Sequence, residues 1–505
     1  MIARRLGHSV VLLEKGTHPR VVIGESSTPL SNLLLEELAT RYDLPALLPL
    51  AKWGSWQRAY PEVACGLKRG FTFHHHVPGS PVSPDPHRGD QLLVAASPRD
   101  EIADTHWYRA DFDQLLVQLA QQLGVDYVDQ IALERIAETP NDATLEGRRG
   151  GRELSFQVKL VIDATGPRGF LHRALRLREA ELPHYPPTQA LYSHFSGVRR
   201  LADARFSRTP AIPPYPIDDA AVHHVFDGGW IWVLQFNNGL TSAGVAATNG
   251  TALELGFGEA APAWHRLLGR LPALQEQFSS ATAVRPFTHM PRLSFRSAQI
   301  AGSRWVLLPS AAGFIDPLLS TGFPLTLLGV ARLAAILAQE WERPGFAVRL
   351  REYATQTDAE LLTTARLIAG LYANMTNFPV FTALSLLYFA AASYSEAARR
   401  LGKSLRASSF LLCNHPTFGP ACLHLLERAR QPLSREGSAA LVRDILAAIE
   451  PFNVAGLGRQ DRRNWYPVDA ADLLDGAAKL DATQDEIRAM LRRCGFRLEP
   501  ELAPG

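Results

Sequence analysis

The strongest constraint on the fold is a pattern that occurs three times, far apart in the chain: an apolar, strand-like run that leads directly into a turn. These runs are Ser9–Glu14, Val158–Gly166 and Trp305–Pro317. Continuous apolar runs are typical of buried parallel strands, and α/β sheets bind ligands beyond the carboxyl ends of such strands. The pattern therefore predicts an α/β fold in which three distant turns converge on one ligand.

Length and composition exclude several classes of protein. A chain of 505 residues is long enough for two or three packed units. Lys and Arg number 52 against 50 Asp and Glu, so no basic excess favours nucleic-acid binding. With 46% hydrophobic and 20% charged residues, the chain has the composition of a globular protein and not of a disordered one.

Cysteine spacing and the apolar segments bear on location. No zinc-type or thioredoxin-type spacing links the cysteines, which favours a reducing compartment, and we expect a cytoplasmic protein without a secretory signal. Residues 367–395 lack a formal charge and are long enough to span a bilayer. Polar residues in the middle of this segment favour two buried helices instead, so we do not expect membrane association.

The N-terminal run resembles the second half of a βαβ unit. Ile2–Gly7 is typical of a last helical turn, and the strand after it ends at Glu14. In dinucleotide-binding units a carboxylate holds the ribose about 20 residues after a glycine fingerprint. Counting back from Glu14 passes Met1, so we expect either a start placed too late or a lost phosphate cradle. The alternative is that Glu14 simply ends a strand.

The remaining segments predict the rest of the architecture. Residues 111–126 have the apolar spacing of an amphipathic helix that stops at Gly124. Residues 180–300 are typical of a mostly antiparallel sheet, and 322–341 of a helix. From residue 350 onward the periodicity is helical almost throughout.

Five elements together resemble a known family. Glu14, Asp163–Gly166 and Ala311–Pro317 resemble the three flavin contacts of the FAD-dependent monooxygenase superfamily. Gly24–Pro29 resembles the GExxxP element of flavin-dependent halogenases, and Asp316–Gly322 is similar to their DPxxSxG loop. Over roughly residues 1–345 the chain is thus identified as a halogenase-like member of the superfamily, apparently truncated at its N-terminus.

This resemblance implies an FAD-binding Rossmann-like domain, an antiparallel-sheet substrate domain and a C-terminal helical region. We expect the FAD-binding domain at 1–60, 100–178 and 300–345, without its first strand and glycine fingerprint. The substrate domain is expected at 61–99 and 179–299, and the helical region at 346–505.

The resemblance also implies a chemistry and a set of contacts. Reduced FAD, supplied by a separate reductase, forms a hydroperoxide that oxidises chloride or bromide to hypohalous acid. The expected halide contacts are the amides of Ser320, Thr321 and Gly322, where a helix start favours an anion. The expected cofactor contacts are Glu14, Glu25, Arg109, Thr165, Gly166, Gly313, Asp316 and Gly322.

Lys68 is the expected catalytic residue. Gly66–Phe73 is similar to the halogenase strand whose lysine receives hypohalous acid. A buried lysine has a lowered pKa, which makes its nucleophilic form available. On a regular strand, residues 67, 69, 71 and 73 would lie on the opposite face from Lys68. The alternative is a solvated lysine on an edge strand beside Arg69.

Two departures from the halogenase pattern are visible. Trp230-Ile-Trp232-Val-Leu keeps two indoles of the family's tryptophan motif but lacks its isoleucine and proline. Alternate strand residues share a face, so Trp230 and Trp232 are expected side by side, in the substrate pocket or in a core. Pro309-Ser310 stands where flavin monooxygenases usually carry glycine and aspartate.

Histidines 74–76 end the lysine strand. Only His74 and His76 would share a face, and we expect them to line the substrate pocket and to bind no metal. The preferred function is an FAD-dependent oxidoreductase that halogenates a small aromatic or other hydrophobic substrate, free or carrier-bound. The alternatives are a flavin-dependent hydroxylase or reductase of such a substrate, and a degenerate, flavin-free binding protein.

Overall fold

A computed structural model of the chain describes residues 1–80, 85, 87–201 and 212–497. The strands are β1 Val11–Leu13, β2 Cys65–Lys68, β3 Gly70–His75, β4 Gln91–Ala95, β5 Asp104–Trp107, β6 Asp126–Val128, β7 Ala132–Glu138, β8 Ala143–Arg149, β9 Arg152–Val158, β10 Val161–Asp163, β11 Thr188–Ser196, β12 Ala221–Phe226, β13 Gly229–Gln235, β14 Thr241–Thr248, β15 Thr282–Ala283, β16 Thr288–Met290, β17 Phe295–Arg296, β18 Trp305–Leu307, β19 Gly313–Phe314 and β20 Trp465–Tyr466. The helices are α1 Ile2–Arg5, α2 Pro29–Arg41, α3 Trp53–Ala59, α4 Arg109–Gln122, α5 Phe170–Ala174, α6 Asn249–Leu255, α7 Ala261–Arg270, α8 Pro272–Gln277, α9 Pro309–Ala312, α10 Gly322–Glu340, α11 Phe346–Ala373, α12 Phe378–Arg400, α13 Phe418–Ala429, α14 Arg435–Ile449, α15 Ala470–Asp475 and α16 Gln484–Arg493.

Two pairs of parallel strands carry the three predicted turns. β1 pairs with β6, and β10 pairs with β18. Glu14 follows β1, Thr165 and Gly166 follow β10, and Pro309 follows β18, so all three turns lie beyond carboxyl ends of parallel strands. The run from Val158 is not one strand as predicted, because the chain leaves its antiparallel partner β8 before it pairs with β18.

The large sheet has the order β15-β11-β14-β13-β12-β3-β4-β20, with β16 also on β11. It is mostly antiparallel, as predicted for residues 180–300, but β12 runs parallel to β3 and β20 parallel to β4. Trp230 and Trp232 of β13 enter one hydrophobic core, whereas Ile231 and Val233 enter another. This strand is apolar throughout because both of its faces are covered.

Helices cover both faces of this sheet. Phe257, Trp264 and Leu274, from the α6–α8 region, pack in the core on one face. Phe381 and Phe389 of α12 pack on the other, in the largest core of the described residues. The helices predicted at 111–126 and 322–341 are present as α4 and α10.

The uncharged segment 367–395 forms two helices, as predicted. α11 ends at Ala373, and α12 begins at Phe378. Pro379 lies in the first turn of α12, where the backbone amide that proline lacks would have no partner within the helix. Two described helices, Leu318–Glu340 and Phe378–Arg400, are long and apolar enough to cross a membrane. Within the protein, 50% and 83% of their most apolar windows are buried.

The C-terminal region is not purely helical. Trp465 and Tyr466 form β20 and extend the large sheet beside β4. The sheet therefore takes strands from the segments around 61–99 and 179–299 and from the C-terminal region. The division into three domains stays a prediction.

Candidate active site

Lys68 lies at the end of β2, where β2 pairs with β5. Its direct cross-strand partner is Asp104. The lysine side chain is fully buried, and its Nζ donates hydrogen bonds to Ser26 Oγ at 2.8 Å and to the Ser27 carbonyl at 2.5 Å. The alternative of a solvated edge-strand lysine is therefore wrong.

Burial sets the charge of this pair. It lowers the pKa of Lys68 to about 7, although the negative charge of Asp104 opposes the shift. Burial likewise raises the pKa of Asp104 to about 7, against the positive charge of Lys68. Both protonation states of the lysine are therefore within reach near neutral pH.

The predicted face pattern around Lys68 is wrong. Gly66–Phe73 is not one strand, because the backbone turns at Arg69, whose amide donates to the carbonyl of Asp219 at 2.6 Å. As a result, Lys68 Nζ lies 3.8 Å from the ring centroid of Phe71, a residue expected on the other face. An ammonium over an aromatic face is stabilised by the ring's electrons.

Residues 24–29 form a loop, called the GE loop here, that lies between Lys68 and Arg109. Gly24 has a φ of +96°, a backbone conformation that is unfavourable for residues with a side chain. Its carbonyl accepts a hydrogen bond from Arg109 at 2.9 Å. Thr28 caps α2 and Pro29 opens it. Since Ser26 and Ser27 hold the lysine, this loop connects Arg109 with the amine.

Glu25 forms a buried pair with a histidine. It is buried, and its Oε1 lies 2.8 Å from Nε2 of the equally buried His194. The carboxylate therefore supports the GE loop from within. The predicted contact of Glu25 with the cofactor stays a prediction.

A chain of charged groups connects Glu14 with Arg109. Arg20 lies between them, with its guanidinium 3.5 Å from Glu14 and 3.9 Å from Asp113. Asp113 in turn accepts two hydrogen bonds from Arg109, at 2.7 and 2.9 Å. The structure thus brings Glu14, Arg109 and Gly24 together, all three partly exposed.

The other predicted cofactor turn lies beyond β10. Asp163 Oδ1 accepts from the amide and the hydroxyl of Thr165, which fixes a turn through the partly exposed Gly166. A Cβ added to Gly166 would meet no atom within 4 Å. The backbone of this turn is therefore open to a ligand, although no contact among the described residues joins it to Glu14.

Gly313 is buried, and a Cβ there would come within 2.7 Å of Leu361 in α11. The glycine is needed because α11 packs closely on β19, and its contact with the cofactor stays a prediction. Ser310, on α9, is partly exposed.

The predicted halide turn has an unusual backbone. Leu319 and Ser320 both have positive φ, 63° and 55°, a conformation that costs about 1 kcal/mol or more per non-glycine residue. Thr321 is buried, whereas Gly322 is exposed and would tolerate a Cβ without any contact within 4 Å. Gly322 opens α10, whose first amides have no intrahelical partner.

Asp316 lies at the centre of a buried hydrogen-bond network. Its carboxylate accepts from the Trp230 indole at 3.1 Å, the Leu318 amide at 2.9 Å, Tyr372 at 2.9 Å and Tyr185 at 3.2 Å. Burial raises its pKa to about 6, and these donors oppose the shift. Its side chain accepts from protein donors, so its contact with the cofactor stays a prediction.

Trp230 and Trp232 lie side by side as predicted, with ring centroids 5.7 Å apart. They share a sheet face with Phe73 and with His223, which stacks on Phe73 at 4.4 Å. α12 covers this face, where Phe381 meets Phe73. The result is a buried aromatic cluster next to Phe71 and Lys68.

His74 and His76 lie on the opposite face of the sheet. His74 is the register partner of His224, and His76 Nε2 lies 2.9 Å from His224 Nδ1. The prediction that they line one pocket with the two tryptophans is wrong, because the register of β3 and β12 places Phe73 with His223 instead. No group of His, Cys, Asp or Glu in the described residues has the arrangement of a metal site.

Sequence reasoning missed Asp104, Asn32 and His106, which lie at the pair formed by β2 and β5, as Lys68 does. Asn32 Nδ2 donates to Asp104 Oδ1 at 2.7 Å, and His106 lies two residues after Asp104 on the same face of β5. Asp-Thr-His-Trp shows strand-like alternation of polar residues. Nothing in the sequence pairs that segment with Lys68, however, since 35 intervening residues separate them.

Comparisons with known proteins identify the family. The tryptophan halogenase family model matches residues 104–377, more than half of the chain. Monodechloroaminopyrrolnitrin halogenase PrnC of Pseudomonas fluorescens is 30% identical over 70% of this chain, which spans 61% of that protein. Tetracycline 7-halogenase of Kitasatospora aureofaciens is 28% identical over 77% of this chain and 70% of its own length.

Solved structures share the fold. The crystal structure of halogenase PltM matches with a TM-score of 0.79 and 25% identity, over 92% of this chain and 95% of that one. Flavin-dependent brominase Bmp2, at 18% identity and a TM-score of 0.57, covers 88% of this chain and 94% of its own. The chain belongs to the tryptophan halogenase family of FAD-dependent enzymes.

Proposed function

We propose that the protein uses reduced FAD, oxygen and a halide to halogenate an aromatic or other hydrophobic substrate beside Lys68. The observation that carries this proposal is the position of Lys68. It is fully buried, has a pKa of about 7 and is held by Ser26 and Ser27 of the GE loop. The same loop contacts Arg109 on its other side.

The residues present fit a flavin nucleotide. Open glycine backbone at Gly166 and Gly322 leaves room for a ligand, and Glu14 and Arg109 add a carboxylate and a guanidinium at the partly exposed end of β1. We propose Glu14, Gly24, Arg109, Gly166 and Gly322 as the cofactor contacts. When bound, reduced FAD supplies the electrons with which oxygen converts a halide to hypohalous acid.

Lys68 then delivers the halogen. As an ammonium it donates a hydrogen bond to the oxygen of hypohalous acid. As a neutral amine it exchanges an N–H bond for an N–halogen bond, and the released proton leaves with hydroxide as water. Because its pKa lies near neutrality, either form is available without a large free-energy cost.

We propose that chloride or bromide binds at the backbone of Ser320, Thr321 and Gly322. The first amides of α10 are unpaired within the helix and lie at its positive end. Leu318 is tied to Asp316, so the turn is fixed before an anion arrives. Such preorganisation lowers the cost of binding.

The substrate proposal rests on the aromatic cluster and on the relatives. Phe71 lies beneath the lysine, and Trp230 and Trp232 belong to the same sheet face. Two relatives are named for monodechloroaminopyrrolnitrin and tetracycline, and another for a pyrrole-2-carbonyl group on a peptidyl-carrier protein. An electron-rich arene, free or carrier-bound, therefore fits best.

A separate reductase would supply the reduced FAD, as the resemblance to halogenases implies. We also propose a cytoplasmic location, since the described cysteines are free thiols.

The test uses the full chain with FAD, a flavin reductase, chloride or bromide, and a panel of arenes offered free and on a carrier protein. Mass spectrometry should detect a halogenated product, and Lys68→Ala should lose it while reduced FAD is still consumed. Lys479→Ala, which removes a lysine paired with Glu450 in the C-terminal region, is the matched control.

Two results would contradict the proposal. A hydroxylated product that Lys68→Ala retains would identify a hydroxylase. Failure of the protein to bind FAD would support the flavin-free alternative.

A further inference from the structure

Three buried polar side chains accompany Lys68 at the pair formed by β2 and β5. Asp104 lies directly across from the lysine, and His106 follows two residues later on the same face of β5. Asn32, from the second turn of α2, donates to Asp104 Oδ1 at 2.7 Å. All four side chains belong to residues that are at most 6% exposed. We call this group the lysine pocket.

The lysine pocket contains polar atoms without partners. Asp104 Oδ2, Asn32 Oδ1 and His106 Nδ1 are buried and have no hydrogen-bond partner among the described residues. Leaving such atoms unsatisfied costs about 1–3 kcal/mol each. All three are acceptors, because His106 Nε2 lies 3.2 Å from the carbonyl of Ala220 and so carries that ring's proton.

We propose that Asp104 is the positioning residue of Lys68, whose carboxylate keeps the buried amine able to hold a proton near neutral pH. This inference rests on the proposed function, since it concerns the lysine that delivers the halogen. Asn32 completes the arrangement, because its hydrogen bond favours the charged form of Asp104.

The other ionisable groups around the lysine do not take this role. His106 on β5 and His223 on β12 face Lys68, and burial lowers the pKa of both, for His223 to about 3. They are therefore neutral at pH 7. From α12, Glu396 raises and Arg400 lowers the pKa of Asp104, so their effects oppose each other.

The direction of the effect follows from Coulomb's law. Removing the negative charge of Asp104 makes a buried ammonium less favourable, so the pKa of Lys68 falls below its value of about 7. If the ammonium is the active form, activity is lost at a lower pH. If the amine is the active form, activity appears at a lower pH. In both cases the midpoint of the pH profile that is set by the pKa of Lys68 shifts to lower pH.

The direct test is a titration of the lysine by NMR on the full-length, flavin-free protein with ¹³Cε-labelled lysine. Lys68→Met assigns the Lys68 resonance. In the parent this resonance should titrate near pH 7. In Asp104→Asn the Lys68 midpoint should fall by about one unit or more.

Three further variants make the result specific. Asn32→Leu should move the Lys68 midpoint in the same direction by a smaller amount, and it keeps the proposal testable if Asp104→Asn fails to fold. Asp472→Asn removes a buried carboxylate in α15 and should leave the midpoint unchanged. Asp104→Glu should restore it in large part.

The outcomes separate this inference from the proposed function. An unchanged Lys68 midpoint in both Asp104→Asn and Asn32→Leu would overturn the role of Asp104, whatever the enzyme does. If the parent binds FAD but never halogenates, the proposed function fails, while the titration still decides whether Asp104 controls the lysine. An acid shift of the halogenation profile in Asp104→Asn would support both.

Discussion

Two buried carboxylates, Asp316 and Asp104, differ in how their oxygen atoms are satisfied. Asp316 accepts from an indole, a backbone amide and two tyrosine hydroxyls. Asp104 accepts from Asn32, and its Oδ2 has no partner in the described part of the chain. Burial raises the pKa of both groups, to about 6 for Asp316 and about 7 for Asp104.

The difference indicates different roles. A buried polar network with every group bonded rigidifies the fold, and Asp316 connects β13, α11 and the turn before α10 in this way. A buried group with an unpaired oxygen lowers stability and is retained where function needs it. Asp104 lies opposite the one lysine on β2. Hydrogen-bond saturation thus distinguishes Asp316, which connects parts of the fold, from Asp104, for which we propose a role at Lys68.

The largest expected effect concerns the lysine itself. Lys68→Met should lower the rate of halogenation by at least about 10³-fold, roughly 4 kcal/mol in the barrier, because no other described amine belongs to the lysine pocket. Its free energy of unfolding should fall by no more than about 2 kcal/mol, since the Ser27 carbonyl loses its donor while the cost of burying the amine is removed. Product yield and urea unfolding measure the two quantities. A large loss of stability would place Lys68 in the same class as Asp316.

The comparison of the carboxylates is sharpened by replacing each with leucine. Asp316→Leu should lower the free energy of unfolding by about 3–4 kcal/mol, because it leaves several buried donors unpaired. Asp104→Leu should lower the free energy of unfolding by about 1 kcal/mol, since only the Asn32 side-chain amide loses its acceptor. Urea denaturation of both variants gives the two values. Equal losses would break the distinction.

The pH dependence of stability tests the state of Asp316. Its pKa is about 6 in the folded protein against 3.8 for an unperturbed aspartate, so the folded state binds more protons in between. The contribution of protonated Asp316 to the free energy of unfolding is fully present below about pH 4 and is lost as the pH rises through about 6. Between pH 4.5 and 7.5 the parent should lose roughly 2–3 kcal/mol relative to Asp316→Asn. Parallel stability curves for the two proteins would contradict the raised pKa.

The smallest expected effect isolates a single hydrogen bond. Trp230→Phe removes the indole donor to Asp316, whereas Trp232→Phe removes a longer bond of 3.3 Å to Ser242 from the same strand. Both variants lose similar volume. Trp230→Phe should be less stable than Trp232→Phe by about 1 kcal/mol, measured as a difference in urea midpoint. Equal stability would mean that Asp316 does not depend on Trp230.

Much of the architecture was predictable because it depends on local patterns. The parallel strands before Glu14, Gly166 and Pro309, the helices from residues 109 and 322, and the division of residues 367–395 into two helices all follow from periodicity, glycine stops and proline. The strand that ends before Glu14 and the mostly antiparallel region at 180–300 follow from the same signals. These features need no long-range contact to be recognised.

The site was only partly predictable. Lys68, the GE loop and the two tryptophans stand out as motifs, but the contact between the loop and the lysine is visible only in the structure. The sequence could not show that Glu25, Gly313 and Asp316 are buried beside His194, α11 and Tyr372, because burial is a property of packing. The same holds for His74 and His76, whose face depends on the register between β3 and β12.

The sequence by itself determined the family-like turns, the apolar character of the strands and the lysine motif. Only the tertiary structure decided that the GE loop and Asp104 lie beside this lysine, and that Asp316 is enclosed by tyrosines from distant segments. The reason is physical: local patterns fix backbone conformation, whereas the charge of a buried group depends on solvent exclusion and on partners brought together by strand pairing and helix packing.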